Sequence, residues 1–147
     1  LVADAIEAGT IAELQGYKSQ RREVKYGKNS RIDILLEGDG PPCYVEVKNV
    51  HLSREAGAAE FPDSVTARGA KHLVEMADMV AEGHRAVMVY LIQRDDCDHL
   101  SIAADIDLNY DEGLTAAMAS GVEAIAYSCK LTPKAINVTR AVPIVWP

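Results

Sequence analysis

The sequence has 147 residues, the length of one ordinary domain, which is enough for a single hydrophobic core to stabilise the fold. Its net charge of −7 excludes a protein that binds nucleic acid over its whole surface. Three widely separated cysteines argue against a disulfide framework and a thiolate zinc site, so we expect a cytoplasmic protein. Because no apolar run is long enough to span a membrane and no signal peptide is recognisable, we expect no membrane partner.

The first part of the chain predicts a short helical region followed by three strands. Apolar residues at helical spacing between Val2 and Gly16 indicate one helix or two short ones. Strands are predicted at about 20–26, 30–37 and 43–50, and the segments between them are rich in turn residues. Short turns of this kind predict two antiparallel hairpins.

A long amphipathic helix is predicted from an N-cap at Asp63 or Ser64 to Gly83. The next run, 85–94, is almost continuously β-branched and aliphatic, which is typical of a strand covered on both faces. A strand that follows a helix in this way fits a parallel crossover connection. The sheet is therefore expected to have an interior strand.

The last third of the chain predicts less regular structure. The acidic segment 95–113 indicates a loop that leads into a short helix ending near Gly121. A strand is predicted at 122–131, and 136–145 indicates a terminal hairpin or an edge extension.

The third strand carries two charged residues, Glu46 and Lys48, on one face, because strand side chains alternate. An isolated pair of this kind is most simply a solvated ion pair of small energy. A two-residue turn at Asp39 and Gly40, however, would place Asp33 opposite Glu46, and Arg31 opposite Lys48. Four ionisable groups would then share one patch.

Asp33 and Glu46 would repel each other at cross-strand spacing unless a cation lies between them. A Mg²⁺ ion fits such a gap because it takes one or two protein carboxylates and keeps several waters, and we expect Mg²⁺ or Mn²⁺ as the cofactor. Lys48 would lie beside the cation, where it could stabilise or help to deprotonate an attacking water. The predicted catalytic residues are therefore Asp33, Glu46 and Lys48.

Basic residues are concentrated in residues 18–31, which contain six basic residues and one acidic residue. This segregation fits a surface that faces phosphates, and it equally fits a solvated strand and turn. On the long predicted helix, basic residues one turn apart could also hold a phosphate, with a solvated basic face as the alternative. The predicted nucleic-acid-binding residues are Arg21, Arg22, Lys25, Arg31, Arg68, Lys71 and His72.

An acid on one strand followed by Glu-Val-Lys on the next resembles the PD-(D/E)xK nuclease core, whose αβββαβ order the predicted elements also follow. The resemblance implies an α/β fold with a mixed central sheet. It implies that Asp33 and Glu46 are metal ligands, that Lys48 is the catalytic lysine and that the Val47 carbonyl is a further candidate ligand. Such cores often add a glutamate from the first helix. Glu13 is the candidate for this additional metal ligand. It is equally well interpreted as a solvated helix residue.

A second resemblance covers nearly the whole chain. The stretches "RREVKYG", "SRIDILLEGDG", "CYVEVKNV", "FPDSVTARGAKHL" and "GHRAVMVYLIQR" together resemble the sugar fermentation stimulation protein family. That family is described as DNA-binding and as a regulator of maltose metabolism, and a small amino-terminal OB-like domain precedes its nuclease-like domain. The resemblance, with a start at Leu1, implies that residues 1–147 are a single nuclease-like domain from which the OB-like domain is missing.

Three functions of different classes remain open. The chain could be a metal-dependent nuclease acting on DNA or RNA, a DNA-binding transcriptional regulator of sugar metabolism without turnover, or a metabolic enzyme or scaffold whose acidic patch is incidental. The presence of Asp33, Glu46 and Lys48 together favours the nuclease, because a binder without catalysis has no need for Lys48. The third function leaves the segregation of charge unexplained.

Overall fold

The computed structural model describes residues 1–146, which form a mixed α/β fold with two β-sheets. The helices are α1 (Val2–Glu7), α2 (Ala67–Ala81) and α3 (Leu108–Ala119), and a 3-10 turn covers Ala12–Leu14. The strands are β1 (Ser19–Tyr26), β2 (Ser30–Glu37), β3 (Cys43–Val50), β4 (Leu52–Glu55), β5 (Gly57–Phe61), β6 (Arg85–Ile92), β7 (Cys97–Ile102), β8 (Glu123–Thr132), β9 (Ala135–Val142) and β10 (Ile144–Val145). None of the helices within residues 1–146 has the length and apolar character that a membrane crossing requires.

The larger sheet has six strands in the order β1-β2-β3-β6-β8-β9. Strands β1, β2 and β3 form the two predicted antiparallel hairpins. Ile34 pairs with Val45 and Leu36 with Cys43, which is the register that a turn at Asp39 and Gly40 predicts. The predicted strands and their register are therefore confirmed over this part of the chain.

Strand β6 lies inside the sheet, parallel to β3 on one side and to β8 on the other. Every residue of β6 after Arg85 is buried, as the continuous apolar run predicts. The connection from β3 to β6 passes through α2, so the predicted parallel crossover is confirmed.

Both faces of the larger sheet are covered by apolar packing. Met88 and Tyr90 of β6 join the core under α2 and α3, whereas Val87 and Val89 face a second core under α1 and the 3-10 turn. This alternation follows from the two-residue period of a strand. Charged residues on the neighbouring strand β3 therefore lie close to the interior of the protein.

The smaller sheet has the order β10-β7-β5-β4. Strand β7 lies within the segment 95–113 that the sequence indicates as a loop, and the β4–β5 hairpin was not predicted at all. Arg54 on β4 forms two ion pairs, with Glu60 at 2.6 Å and with Asp105 at 2.7 Å. The predicted loop is therefore wrong for residues 97–102.

Helix α2 begins later than the sequence predicts. Its N-cap is Thr66, whose hydroxyl accepts a hydrogen bond from the Gly69 N–H at 2.9 Å. The Thr66 N–H in turn donates to the carboxylate of Asp107 at 2.9 Å. The predicted cap at Asp63 or Ser64 is therefore wrong. The helix begins at Thr66 because this residue is held by Asp107, which is distant in the sequence.

A candidate metal centre between β2 and β3

The backbone pairing of β2 and β3 stops one residue before Asp33 and Glu46. There the Asp33 carboxylate accepts a hydrogen bond from the Val47 N–H at 2.7 Å. A side chain thus takes the place of the backbone carbonyl that would continue the ladder. The Asp33 carboxylate consequently stands between the two strands, at the point where their regular pairing ends.

The β1 residue opposite Asp33 is Glu23, which has a φ of 55°. This left-handed conformation is uncommon for a residue other than glycine. The residues on either side, Arg22 and Val24, keep regular pairing with β2, so the ladder is interrupted only at the level of Asp33. Such local strain is concentrated at functional sites in proteins.

Glu46 is only 4% exposed and lies against three polar groups. The Asp33 carboxyl group is near enough to raise the pKa of Glu46, Lys48 Nζ lies 4.0 Å from Oε1, and His72 Nδ1 lies 3.6 Å from Oε2. The Oε2 atom is buried without a hydrogen-bond partner among the residues described. An unpaired buried carboxylate oxygen is costly, so the Glu46 carboxyl group as a whole is a candidate ligand.

Burial raises the pKa of Glu46 to about 8, and the negative charge of Asp33 adds to this effect. The positive charges of Lys48 and Arg68 lower the pKa by a smaller amount. Glu46 is therefore mostly protonated at neutral pH when no further cation is near. A divalent cation beside the two carboxyl groups would favour their ionised forms.

Tyr26 is a member of this site that sequence reasoning missed. It is buried at the end of β1, and its hydroxyl has no partner among residues 1–146. Burial raises its pKa most, and the negative charges of Glu46, Glu75 and Asp33 raise it further. The hydroxyl stays protonated and can donate a hydrogen bond. The only sequence signal was a tyrosine at the end of a strand.

Glu75 on α2 is buried and binds the turn between β1 and β2. It accepts hydrogen bonds from the Lys28 N–H at 2.8 Å and from the Ser30 hydroxyl at 2.5 Å. Lys71 Nζ donates to the Lys28 carbonyl at 2.9 Å. Helix α2 is thereby tied to the hairpin that carries Asp33, and Glu75 too was missed by sequence reasoning.

The three basic residues predicted on α2 do not share one environment. Arg68 and Lys71 are exposed, whereas His72 is buried beside Glu46. Burial lowers the pKa of His72, and the positive charges of Lys48 and Arg68 lower it further. His72 is thus a neutral interior residue, and only Arg68 and Lys71 remain on the surface that a phosphate can reach.

The basic residues of β1 and β2 are all exposed, but some of them already have acidic partners. Arg21 pairs with Glu37 at 2.8 Å. Arg22 lines a groove of about 300 Å³ together with Asp33, and Glu46 and Lys48 are not among the residues that line it. Lys25 lies beside the turn between β1 and β2.

Arg31 does not lie opposite Lys48 as the extended register predicts. Arg31 pairs with Lys25 on β1, and its guanidinium donates to the Glu23 carbonyl at 3.2 Å. Lys48 pairs with Tyr90 on β6. The prediction is wrong because the β2–β3 ladder ends before these residues, where the Val47 N–H bonds to a side chain.

The structure does not bring Glu13 to the other two acids. Its carboxylate accepts a hydrogen bond from the Tyr127 hydroxyl at 2.6 Å, and Tyr127 lies on β8, which β3 and β6 separate from β2. Across residues 1–146, no three or more His, Cys, Asp or Glu residues are grouped at metal-binding spacing. The candidate centre therefore consists of the pair Asp33 and Glu46.

Comparison with known proteins gives consistent results. The family described as "Sugar fermentation stimulation protein RE domain" matches residues 1–135. Curated proteins called sugar fermentation stimulation protein homolog are similar: that of Maricaulis maris is 58% identical over 141 residues, and that of Rhodospirillum centenum 61% identical over 141 residues. Each match covers 95% of this chain and 60% of the relative. The chain thus spans about 60% of the length of these relatives.

One solved structure has the same fold. It is the structure of Pyrococcus furiosus SfsA in complex with Ca²⁺, which superposes with a TM-score of 0.87 at 27% sequence identity. The match covers 96% of this chain and 61% of that chain.

Proposed function

This chain belongs to the sugar fermentation stimulation protein family, and from that premise we propose that it is a nuclease-like domain with a divalent metal site. Asp33 and Glu46 hold the cation, and Lys48 supports hydrolysis of a nucleic-acid phosphodiester. Mg²⁺ or Mn²⁺ is the proposed cofactor, and DNA, with RNA as an alternative, is the proposed substrate.

The order of the elements supports a PD-(D/E)xK core. Helix α1 is followed by strands β1, β2 and β3, then by helix α2 and strand β6, which gives αβββαβ apart from the inserted β4–β5 hairpin. The acid on β2 and the Glu-Val-Lys on β3 follow the same order along the chain as the motif of this core, which supports the proposal.

The observation that carries the metal site is the buried Glu46 carboxyl group, whose Oε2 has no partner in the described chain and which contacts a second carboxyl group. Oxygen donors of this kind fit hard cations such as Mg²⁺, Mn²⁺ or Ca²⁺. The Ca²⁺ in the complex of the Pyrococcus furiosus protein supports this choice.

The Val47 carbonyl is proposed as a third oxygen ligand. The N–H and C=O groups of one strand residue point to the same side of the strand. Because the Val47 N–H points to Asp33, its carbonyl also faces the side on which Asp33 lies. Two carboxylates and one carbonyl would leave positions for water and for a phosphate oxygen.

The chain's own residues have separate roles in hydrolysis. A bound divalent cation would acidify a coordinated water and stabilise charge on the phosphate. Lys48, half-buried beside Glu46, presents an ammonium group to the charge that develops on the phosphate. Arg68 and Lys71, exposed on α2, can bind the neighbouring phosphates and hold the substrate in place.

The distribution of charge supports a nucleic-acid partner at one surface only. Residues 18–31 carry six basic residues, although the whole chain has a net charge of −7. A polyanion would therefore be attracted to this stretch and repelled elsewhere. One groove is lined both by Arg22 of this stretch and by Asp33, one of the two proposed ligands.

We also propose that residues 1–147 are one domain of a longer cytoplasmic protein. The matched relatives are longer than this chain, and an amino-terminal OB-like domain would add a groove for single strands. Cys43, Cys97 and Cys129 are buried free thiols, which suits a reducing compartment.

The test begins with binding of Ca²⁺ to this chain by isothermal titration calorimetry. We expect one site in the wild type, and its loss in Asp33→Asn and Glu46→Gln. The matched control is Glu13→Gln, which removes an acid that lies away from the pair and should leave Ca²⁺ affinity unchanged. Equal binding by all four proteins would contradict the site.

Cleavage is then assayed with Mg²⁺ and with Mn²⁺ on single-stranded, duplex and branched DNA and on RNA. We expect products with the wild type and none with Glu46→Gln. Metal binding and DNA binding without cleavage of any substrate would instead favour the alternative, a DNA-binding regulator of sugar metabolism.

A further inference from the structure

His72 and Glu46 face each other in the interior of the protein. The His72 Nδ1 atom lies 3.6 Å from Glu46 Oε2, just beyond hydrogen-bond range. Both atoms are buried, and neither has another partner in the described part of the chain. Two complementary polar groups without partners, at this separation, are poised to form one hydrogen bond.

Helix α2 fixes the position of His72. Its N-cap at Thr66 and the hydrogen bonds of Glu75 to the β1–β2 turn attach the helix at points before and after His72. The imidazole is itself buried, so it has little freedom to turn away from Glu46. The helix thus supplies the fixed partner that Glu46 lacks on β3.

The two oxygens of Glu46 have different neighbours. Oε1 lies 4.0 Å from the ammonium of Lys48, whereas Oε2 faces His72. If Oε2 is held by a donor, the plane of the carboxylate is fixed and Oε1 is kept on the side of Lys48. Metal-binding groups are commonly oriented in this way by a neighbouring hydrogen bond.

We propose that His72 is a positioning residue, which donates a hydrogen bond from Nδ1–H to Glu46 Oε2 in the cation-loaded site. This inference rests on the proposed metal function of Glu46. His72 does not act as a ligand, because Mg²⁺ and Ca²⁺ prefer oxygen donors. A distance that is long without the cation can shorten when the site is filled, as catalytic hydrogen bonds often do.

A hydrogen bond from Nδ1 requires one particular tautomer of the His72 imidazole. A neutral imidazole carries one N–H, so a donor at Nδ1 requires the Nδ1–H tautomer. Nitrogen-15 NMR of His72 in the Ca²⁺-loaded protein should therefore show a protonated Nδ1 and an unprotonated Nε2. An unprotonated Nδ1 in the loaded protein would overturn the proposal.

Three variants test the donor by Ca²⁺ affinity, measured by calorimetry. The Asn side chain can place an N–H near the position of Nδ1, whereas the Gln amide reaches farther, toward that of Nε2. His72→Ala and His72→Gln should weaken Ca²⁺ binding by about 10- to 100-fold, the usual effect of losing such a partner. His72→Asn should restore the affinity to within about 3-fold of the wild type, since one donor is retained.

The control is His84→Ala, which removes a histidine whose ring packs on Tyr44 and has no role in the proposed centre. Urea unfolding of each variant separates loss of fold from loss of affinity. If His72→Ala does not fold, the comparison of His72→Asn with His72→Gln decides, because these two differ only in where the amide lies.

The outcomes distinguish this inference from the proposed function. A wild type that binds no Ca²⁺ overturns the metal centre and this inference with it. A wild type that binds Ca²⁺ and a folded His72→Ala or His72→Gln that binds it equally well overturn the role of His72 alone.

Discussion

The Val47 N–H donates to the Asp33 carboxylate over 2.7 Å, so one side chain ends the β2–β3 ladder and also contacts Glu46. Asp33 therefore has two tasks that can be separated by mutation. Accepting the Val47 hydrogen bond is structural, whereas the negative charge acts on Glu46 and on a bound cation.

Asp33→Asn should preserve the fold and remove cation binding. The Asn carbonyl oxygen can still accept from the Val47 N–H, so the free energy of unfolding should change by less than about 1 kcal/mol. Asp33→Ala leaves this N–H without a partner and should cost about 1–3 kcal/mol. Urea unfolding measures the free energy of unfolding of each variant, and calorimetry measures its Ca²⁺ binding. Equal stability of the two variants would show that the Val47 hydrogen bond contributes nothing.

Glu46→Gln should stabilise the metal-free protein, and the gain should depend on pH. The pKa of Glu46 is raised to about 8 in the fold, from an ordinary value of 4.5, so the folded state holds a proton that the unfolded state releases between these values. The stability of the wild type should therefore fall as pH rises from about 5 to 8, on the order of 2–4 kcal/mol in total. Glu46→Gln should lack this fall, as urea unfolding at pH 5 and pH 8 can measure. Parallel stability curves for the two proteins would contradict the raised pKa.

Lys48→Met should separate cation binding from catalysis. The variant removes the ammonium 4.0 Å from Glu46 and keeps an apolar stem of similar length. Because one positive charge is lost beside the site, Ca²⁺ affinity should stay the same or rise. Cleavage should fall by about 10²-fold or more, as expected for loss of a group that acts in the transition state. Unchanged cleavage by Lys48→Met would remove Lys48 from the mechanism.

Neighbouring arginines on β1 provide a matched test of nucleic-acid binding. Arg22 lines the groove with Asp33, whereas the charge of Arg21 is already offset by Glu37 at 2.8 Å. Arg22→Ala should lower the slope of log affinity against log salt concentration by about 0.7–0.9, the value for one lost phosphate contact. Arg21→Ala should lower it less. Fluorescence anisotropy of one labelled DNA at several salt concentrations gives both slopes, and identical slopes in all three proteins would mean that β1 is solvated surface.

Gly27→Ala should destabilise the protein. Gly27 has a φ of 57°, and a Cβ atom there would collide with the Glu75 carboxylate that binds the same turn. The variant should lose about 2 kcal/mol or more in urea unfolding, through backbone strain and loss of the Glu75 hydrogen bonds. Asn29→Gly, at the other left-handed residue of this turn, is the control and should be neutral or stabilising.

The larger sheet could be predicted from the sequence because its signals are local. Hydrophobic period and turn residues determine β1, β2 and β3, and a two-residue turn at Asp39 and Gly40 determines the register that places Asp33 beside Glu46. The apolar run of β6 likewise requires a strand covered on both faces.

The smaller sheet could not be predicted because its strands lack a regular alternation. Strand β5 is largely glycine and alanine, which have low strand propensity. Strand β7 pairs with β5 through an irregularity next to Gly57, so its buried residues Cys97, Leu100 and Ile102 do not follow a two-residue period.

The residues that surround Asp33 and Glu46 could not be predicted from local sequence patterns either. His72 and Glu75 approach Glu46 and the hairpin only because α2 packs across the sheet, and this packing is a tertiary contact. Glu13 was wrongly placed for the same reason, since its position depends on Tyr127, which is 114 positions away in the chain.

Strand β1 is also an outer strand of the six-stranded sheet, so one row of its backbone groups has no neighbouring strand within the chain. An open edge of this kind can pair with the edge of another molecule and start aggregation, and closely spaced lysines and arginines are a common protection against it. The exposed basic side chains of β1 would repel a second copy approaching in register. The residues that we propose to attract a polyanion would therefore also oppose self-association, and variants that neutralise several of them at once should be examined for it.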